Sequence, residues 1–209
     1  MFLMIYSIND ITRQAYDFTR PLLVVTHKGS AMSRLTAINP TDATGLAAEL
    51  FTGIKKAVGK VPNAYAAIGT HSPESLAALL ALDEVVGKTS LAKAEIEAIR
   101  LTVSAYAGCD YCVAAHSLMG KMAGLSPEAL QQIRNGGAPG SERLDALTHY
   151  VRTLVSTQGT VPAAAVEALQ AAGFSDRQLI EIALVIASIT FTNLVNRTND
   201  TTVDFPAVG

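Results

Sequence analysis

The amino-acid sequence predicts an all-α protein. Between the glycine and proline breakers, apolar residues recur with the 3.6-residue spacing of helices that bury one face. Helix-capping serines stand directly before several of these stretches, often followed by proline and glutamate. Apart from a short apolar run at 22–25, no segment alternates polar and apolar residues as a half-buried strand would.

Four helices are predicted in the first half of the chain. The first carries an apolar stripe and ends at the segment Gly59-Lys-Val-Pro62. Ser72 precedes the second helix, Ser90 is the expected cap of the third, and Gly108 separates the third helix from the fourth. The expected ranges are 41–58, 73–87, 91–106 and 109–124.

The second half of the chain repeats this arrangement. Ser126 opens a short helix, and an amphipathic helix is predicted over 141–156. The segment Gly159-Thr-Val-Pro162 then echoes the Gly-x-Val-Pro segment of the first half. Ser175 caps a long apolar helix, which we expect to be buried on nearly all sides.

These echoes suggest an internal duplication. At an offset of 84 residues, Glu181 corresponds to Glu97, whereas polar residues replace the other three: Asn193 for Cys109, Asn196 for Cys112 and Asp200 for His116. We interpret this as two half-repeats, 41–124 and 141–204, the second without redox chemistry; chance alignment of apolar helices is the alternative. The two asparagines need buried hydrogen-bond partners, which a subunit interface could supply.

The composition excludes several classes of function. Apolar residues make up 49% of the chain and charged residues 16%, which favours a large packed core, including a subunit interface. The net charge of −2 provides no basic surface for nucleic acid or for a membrane. No uninterrupted apolar run reaches the roughly 18 residues of a membrane span. We therefore expect a homo-oligomer that binds neither nucleic acid nor membrane.

The N-terminal 31 residues are predicted to be an extension of no function, because globular patterning begins only after Pro40. They lack the basic region and the small-residue cleavage site of a secretory signal, so a cytoplasmic location is expected. Residues 32–209 are expected to form a single helical domain.

Two cysteines, Cys109 and Cys112, lie three residues apart. A structural disulfide closing so short a loop would add little stability, so the pair is expected to be redox-active or to bind a metal. In a helix beginning near Cys109, both cysteines and His116 share one face. The first helical turn favours a thiolate, and His116 lies one turn beyond Cys112. Glu97, on the preceding helix, could fold back and tune the imidazole.

Other interpretations of this segment stay open. Structural zinc is one, with Glu97 as a fourth ligand, and a pair of inert core thiols is another. A thioredoxin-type pair would follow a strand rather than a helix, and a haem attachment would need histidine where Val113 stands. No cofactor is therefore expected. Tyr106 and Tyr111 are candidates for lining a pocket.

The order Glu97, eleven residues, Cys109-x-x-Cys112, three residues, His116 resembles the core motif of the AhpD-like alkylhydroperoxidases, in the carboxymuconolactone decarboxylase superfamily. The segments that begin at Phe191 and Val203 are similar to its peroxidase-related branch. The resemblance covers about 40–206. It implies an all-α fold that commonly assembles into trimers or hexamers.

The resemblance also implies a reaction. Cys112 attacks a hydroperoxide and becomes a sulfenic acid, Cys109 resolves it to a disulfide, and His116 with Glu97 relays protons. A dithiol donor of lipoyl or thioredoxin type then reduces the disulfide. AhpD proper carries a histidine where this chain has Tyr111, a departure in the relay. The expected function is a thiol-dependent peroxidase; a general thiol–disulfide oxidoreductase and a structural or zinc-binding oligomer are the alternatives.

Overall fold

The computed structural model of the protein describes residues 33–207, within the second of the two units into which the chain divides, Ala31–Gly209. The predicted extension 1–31 lies outside the described residues. This described part consists of helices and contains no strand, so the all-α prediction is confirmed. After a 3-10 helix, Pro40–Asp42, the elements are α1 Gly45–Val58, α2 Asn63–His71, α3 Pro73–Val86, α4 Lys93–Ala107, α5 Asp110–Met122, α6 Pro127–Arg134, α7 Glu142–Ser156, α8 Ala163–Ala171 and α9 Asp176–Asn199.

Three of the predicted serine caps are present. The hydroxyls of Ser72, Ser126 and Ser175 accept backbone N–H groups in the first turns of α3, α6 and α9. Proline follows the cap in α3 and α6, where its missing N–H costs no helical hydrogen bond. These starts are local, so the sequence alone specifies them.

The predicted cap of α4 was wrong. The N-cap residue is Ala92, whose backbone N–H donates to Oε2 of Glu95 at 2.8 Å. Ser90 lies outside the helix and donates through its hydroxyl to Oε2 of Glu181 on α9 at 2.6 Å. The glutamate inside the first turn thus replaces the serine hydroxyl as the capping group.

Two nine-residue helices, α2 and α8, were not predicted. Pro62 and Pro162 are their N-cap residues, so each Gly-x-Val-Pro segment leads into a helix and does not only end one. Both helices are rich in alanine and carry too weak an apolar stripe for a pattern search. Each of the two Gly-x-Val-Pro segments thus precedes a helix of the same length. The internal duplication stays a prediction.

Helix α4 forms the centre of the unit. It packs against α5, α6, α7 and α9, and Ala98, Ile99, Leu101 and Ser104 have no exposed area. Because neighbours cover α4 on several sides, its polar side chains must find partners inside the protein. That requirement determines the arrangement of the site.

Helix α9 packs against α2, α3, α4 and α5. By length and composition it is the one helix among the described residues that could cross a membrane. Glu181, Asn193 and Asn196 on α9 are nevertheless buried and hydrogen bonded within the protein, as in a core helix. Burial on nearly all sides was wrong, because the neighbouring helices leave one side uncovered: Ile180 is 75% exposed and Leu194 64%.

Candidate active site: a buried pair of cysteines

The two cysteines lie at the N-terminal end of α5. Gly108 ends α4 with φ +64°, a left-handed conformation that favours glycine. Cys109 follows as the N-cap residue of α5, and its Sγ accepts a hydrogen bond from the backbone N–H of Cys112 at 3.4 Å. Both side chains are buried. The end of α4 at Gly108 thus places two thiols beside the unpaired backbone amides at the start of α5.

The surroundings of the two thiols differ. A hydrogen bond from the Cys112 thiol holds the pKa of Cys109 below its usual value, although burial opposes ionisation. The same hydrogen bond, together with burial, raises the pKa of Cys112. The helix N-terminus also favours negative charge at its cap, so the hydrogen bond and the helix end both favour the thiolate form of Cys109.

Asn196 of α9 provides a polar contact to Cys112. Its Nδ2 donates to Sγ of Cys112 at 3.3 Å, and its Oδ1 is buried without a hydrogen-bond partner. Nearby on the same helix, Oδ1 of Asn193 accepts from the Ser104 hydroxyl at 3.2 Å, and its Nδ2 has no partner. Each asparagine therefore has a partner within its own chain, whereas the sequence suggested a subunit interface.

The predicted pairing of Glu97 with His116 is present. Nδ1 of His116 lies 2.8 Å from Oε2 of Glu97, and Oε1 of Glu97 lies 3.1 Å from a terminal nitrogen of Arg100. Burial opposes ionisation of Glu97, but the contacts with His116 and Arg100 prevail and hold its pKa below the usual value. An ionised Glu97 orients the ring through Nδ1, so Nε2 is the nitrogen available for proton transfer.

The polar network extends beyond Glu97. Arg100 also donates to Oδ1 of Asp83 on α3 at 2.8 Å, and the Ser188 hydroxyl donates to the same oxygen at 2.7 Å. Burial and the nearby Asp83 carboxylate raise the pKa of Tyr65 to about 12. A chain of ion pairs and hydrogen bonds therefore connects α3, α4, α5 and α9 behind the imidazole.

A small cavity of about 40 Å³ adjoins this network. Such a volume accommodates one water molecule, and its walls offer several polar partners. The lining residues are Tyr65, Asp83, Arg100, His116, Ser188, Ile189 and Thr192. His116 therefore borders a small polar cavity on the side that faces α3 and α9.

The two tyrosines that the sequence suggested for a pocket lie elsewhere. Tyr111 is buried, donates through its hydroxyl to Oδ1 of Asp204 at 2.8 Å and accepts from the backbone N–H of Ala64 at 3.2 Å. Its ring meets that of Phe205 edge-on, with centroids 5.3 Å apart. Tyr106 is 47% exposed. Neither tyrosine lines the cavity beside His116.

Within residues 33–207, no group of three or more His, Cys, Asp or Glu side chains is arranged to hold a metal ion. The zinc alternative requires Glu97 as a fourth ligand. Both carboxylate oxygens of Glu97 already contact other side chains, one His116 and the other Arg100. The zinc alternative gains no support from this part of the chain.

Sequence reasoning missed Asp83 and Arg100. Arg100 lies three residues after Glu97, a spacing that brings side chains together on a helix, and this signal was available. Asp83 lies on another helix, and no local pattern links it to Arg100. The sequence predicts that Asn196 is a buried amide, but only the packing of α9 on α5 shows that it contacts Cys112.

The fold and site define an all-α protein with a buried dithiol and a Glu–His pair. The family model of the carboxymuconolactone decarboxylase family matches residues 73–146, which include Glu97 and both cysteines. No curated protein sequence matches the chain significantly. The family-model match and the structural neighbours described next support the resemblance to the AhpD-like, carboxymuconolactone decarboxylase superfamily that the sequence motif predicted.

Several solved structures share the fold. A peroxidase-related protein with an alkylhydroperoxidase AhpD core, from Ralstonia eutropha JMP134, is 23% identical with a TM-score of 0.74, covering 84% of this chain and 94% of that chain. A peroxidase-related protein from Silicibacter sp. TM1040 is 25% identical with a TM-score of 0.70, covering 81% and 92%. The debrominase Bmp8 is 21% identical with a TM-score of 0.68, covering 82% and 92%.

Proposed function

We propose that the protein is a thiol-dependent peroxidase that reduces organic hydroperoxides to alcohols. The observation that carries the proposal is the buried pair of Cys109 and Cys112 at the start of α5, with His116 one turn further along and held by Glu97. An ionisable thiol pair and an oriented imidazole are the groups that this reaction needs. The likeness to peroxidase-related proteins supports the same class of activity.

The first step forms a sulfenic acid. In the resting pair the Cys112 thiol donates to the Cys109 thiolate, and moving that proton to Cys109 puts the negative charge on Cys112. The Cys112 thiolate attacks the terminal oxygen of ROOH, so a sulfur–oxygen bond forms and the oxygen–oxygen bond breaks. His116 protonates the leaving alkoxide, which gives ROH and the sulfenic acid of Cys112.

The second step forms a disulfide. The Cys109 thiol attacks the sulfur of the sulfenic acid, and the hydroxyl group leaves as water with the thiol proton. The two sulfurs together lose two electrons, which the peroxide has gained. We propose that an external dithiol of lipoyl or thioredoxin type then reduces the disulfide. We further propose that the protein assembles into a trimer or hexamer and is cytoplasmic.

Reductive debromination is a second candidate. The debrominase Bmp8 shares the fold, and a cysteine-to-alanine variant of it was solved in complex with 2,3,4-tribromopyrrole. At 20% to 21% identity this likeness concerns the fold alone. A thiol pair can nevertheless supply the two electrons that such a reaction requires, so the substrate must be decided by assay.

The deciding experiment is a titration of free thiols before and after one equivalent of cumene hydroperoxide. Wild type is compared with Cys112→Ser, with His116→Ala and with His149→Ala, an exposed histidine on α7 that serves as the matched control. We expect both thiols to disappear rapidly in wild type and in His149→Ala and slowly in His116→Ala. In Cys112→Ser the single remaining thiol, that of Cys109, should persist.

Two further arms separate the alternatives. The same titration with 2,3,4-tribromopyrrole tests debromination, with release of bromide as the readout. Oxidation by a disulfide but not by peroxide would indicate a general thiol–disulfide oxidoreductase. Persistence of both thiols with peroxide, together with stoichiometric zinc by metal analysis, would contradict the peroxidase proposal.

A further inference from the structure

Asn196 has one amide atom at the reactive sulfur and another that has no partner. Its Nδ2 lies 3.3 Å from Sγ of Cys112, while Oδ1 is buried and makes no hydrogen bond. Buried polar atoms in folded proteins are nearly always paired. An unpaired acceptor beside a thiol therefore marks a place where a donor is expected during the reaction.

The covalent geometry of an amide determines where that donor must be. Oδ1 and Nδ2 are attached to the same carbon, so the free oxygen lies next to the nitrogen that contacts the Cys112 sulfur. Exchanging the two atoms, which have nearly the same shape, would leave one atom at the sulfur and the other unpaired. Only the orientation with Nδ2 at the sulfur lets the amide donate to a thiolate, and this orientation leaves the acceptor Oδ1 unpaired.

The reaction creates a donor at this place. When the Cys112 thiolate takes an oxygen from a hydroperoxide, the sulfur acquires a hydroxyl group whose hydrogen needs an acceptor in a buried site. The Cys112 side chain is only 2% exposed, so little bulk water reaches this position. Oδ1 of Asn196 is a buried acceptor within the same amide that already contacts the sulfur.

We propose that Asn196 holds Cys112 in two states, donating through Nδ2 to the thiolate and accepting through Oδ1 from the hydroxyl of the sulfenic acid. The inference rests on the proposed peroxidase function and adds a residue from α9 to the Glu97–His116 pair. An accepted hydrogen bond favours the neutral sulfenic acid over its anion. Since the anion is the form that attacks a second peroxide, Asn196 protects the intermediate until Cys109 resolves it.

Asn193 is a matched control on the same helix. Its exposed fraction is 3%, against 4% for Asn196, and it also has one paired and one unpaired amide atom. Its partner is the hydroxyl of Ser104 and not a sulfur. A general effect of removing a buried amide from α9 should therefore occur equally at Asn193.

The test uses the full chain with Cys109→Ser, in which the sulfenic acid has no resolving thiol. With cumene hydroperoxide in excess, so that a second equivalent can oxidise the sulfenic acid, dimedone trapping gives the lifetime of the sulfenic acid and mass spectrometry gives the sulfinic acid. We expect Asn196→Leu to shorten the lifetime about tenfold and to increase sulfinic acid, the loss expected for one buried hydrogen bond. Asn193→Leu should leave the lifetime unchanged.

Asn196→Asp separates the two contacts, because a carboxylate keeps the acceptor and loses the donor. We expect slower alkylation of Cys112 at neutral pH in this variant and a sulfenic acid lifetime like that of the background. The Asp variant also decides the question if Asn196→Leu does not fold by circular dichroism. A shortened lifetime in Asn196→Asp would then overturn the inference.

The remaining outcomes are also decisive. Equal lifetimes in Asn196→Leu and in the background, with sulfenic acid formed in both, overturn the role of Asn196 and leave the peroxidase proposal intact. Equal losses at Asn193 and Asn196 overturn it as well, since they indicate a general packing effect. If the background forms no sulfenic acid at all, both proposals are overturned together.

Discussion

Glu97 on α4 and His116 on α5 are joined by a 2.8 Å contact between Oε2 and Nδ1, in a site where both side chains are largely buried. The carboxylate also lies 3.1 Å from Arg100, whose positive charge favours its ionised form. The pair thus combines an anchored charge with an imidazole whose second nitrogen is available, an arrangement suited to proton transfer near a thiol.

Glu97→Gln tests this pairing. An amide can still accept from Nδ1 but carries no charge to stabilise a protonated ring, so proton delivery to the alkoxide should suffer. We expect the rate of peroxide consumption to fall about 100-fold, within the usual range for an impaired acid–base group. Stopped-flow measurement of the rate against pH should show a changed profile and not only a lower plateau.

Glu95→Gln is the control for this change. Glu95 lies on the same helix and is also buried, but its Oε1 contacts Arg143 at 2.6 Å and its Oε2 caps α4. Its replacement should reduce stability and leave the pH profile of the reaction unchanged. A similar loss of rate in both variants would contradict a specific role for Glu97.

Arg100→Met tests the network behind the imidazole. Arg100 bridges Glu97 and Asp83, and its removal leaves a largely buried carboxylate without its cationic partner. We expect a loss of about 3 kcal/mol in the free energy of unfolding, measured by urea denaturation at neutral pH. Asp83→Asn combined with Arg100→Met should recover part of this loss. Arg100→Met leaves two carboxylates without their cation, those of Glu97 and Asp83, and the second substitution removes the charge of Asp83.

The pH dependence of this effect has a definite sign. The folded-state pKa of Glu97 lies below its ordinary value of 4.5, so its ionisation stabilises the fold above that pH. The contribution is lost as the pH falls through the folded-state value. The stability difference between wild type and Arg100→Met should therefore narrow in acid, and a difference that grows in acid would contradict the assignment.

How much of this site the sequence contains depends on the range of each contact. The break at Gly108, the caps at Ser72 and Ser126, and the shared face of Cys112 and His116 follow from local rules, and the sequence predicts them. The Asn196 contact joins positions 84 residues apart and depends on how α9 packs on α5. Local periodicity contains no information on such packing.

The misplaced cap and the α9 surface show the same limit. Ser90 has the right residue type for a cap, but a buried glutamate on α9 needs a donor, and Ser90 supplies both its hydroxyl and its backbone N–H. The exposed apolar residues of α9 resemble core positions in the sequence, since composition does not show on which side neighbours are missing.

The order in which the thiols ionise gives a third prediction. The hydrogen bond that the Cys112 thiol donates to Cys109 lowers the pKa of Cys109. The same hydrogen bond raises the pKa of Cys112. In wild type, iodoacetamide should therefore modify Cys109 before Cys112, as followed by mass spectrometry. Cys112→Ala should raise the pKa of Cys109, and Cys109→Ala should lower that of Cys112, both measured by thiolate absorbance.

The result of this experiment bears on the mechanism. Modification of Cys109 first agrees with a resting thiolate at the helix cap, from which the charge moves to Cys112 when peroxide binds. Modification of Cys112 first, with an unchanged pKa for Cys109 in Cys112→Ala, would contradict the shared-proton arrangement. Cys112 would then carry the thiolate in the resting state.

Tyr111→Phe addresses the position at which AhpD proper carries a histidine. In this chain the Tyr111 hydroxyl donates to Asp204 at 2.8 Å and accepts from the backbone of Ala64, so it secures the C-terminal segment. Removing the hydroxyl takes one hydrogen-bond partner from the partly buried carboxylate of Asp204 and one from the buried backbone N–H of Ala64. We expect urea denaturation to show a loss of about 1–3 kcal/mol in the free energy of unfolding.

The rate of peroxide consumption should change by less than about a factor of two in Tyr111→Phe, because the hydroxyl contacts neither Glu97 nor His116. Lys60→Met is the matched change, since Lys60 pairs with the other oxygen of Asp204 at 2.8 Å and lies on the surface. If Tyr111→Phe lowers the rate as far as Glu97→Gln does while Lys60→Met does not, then the tyrosine takes part in proton transfer, and the relay in this chain runs through the residue that replaces the histidine.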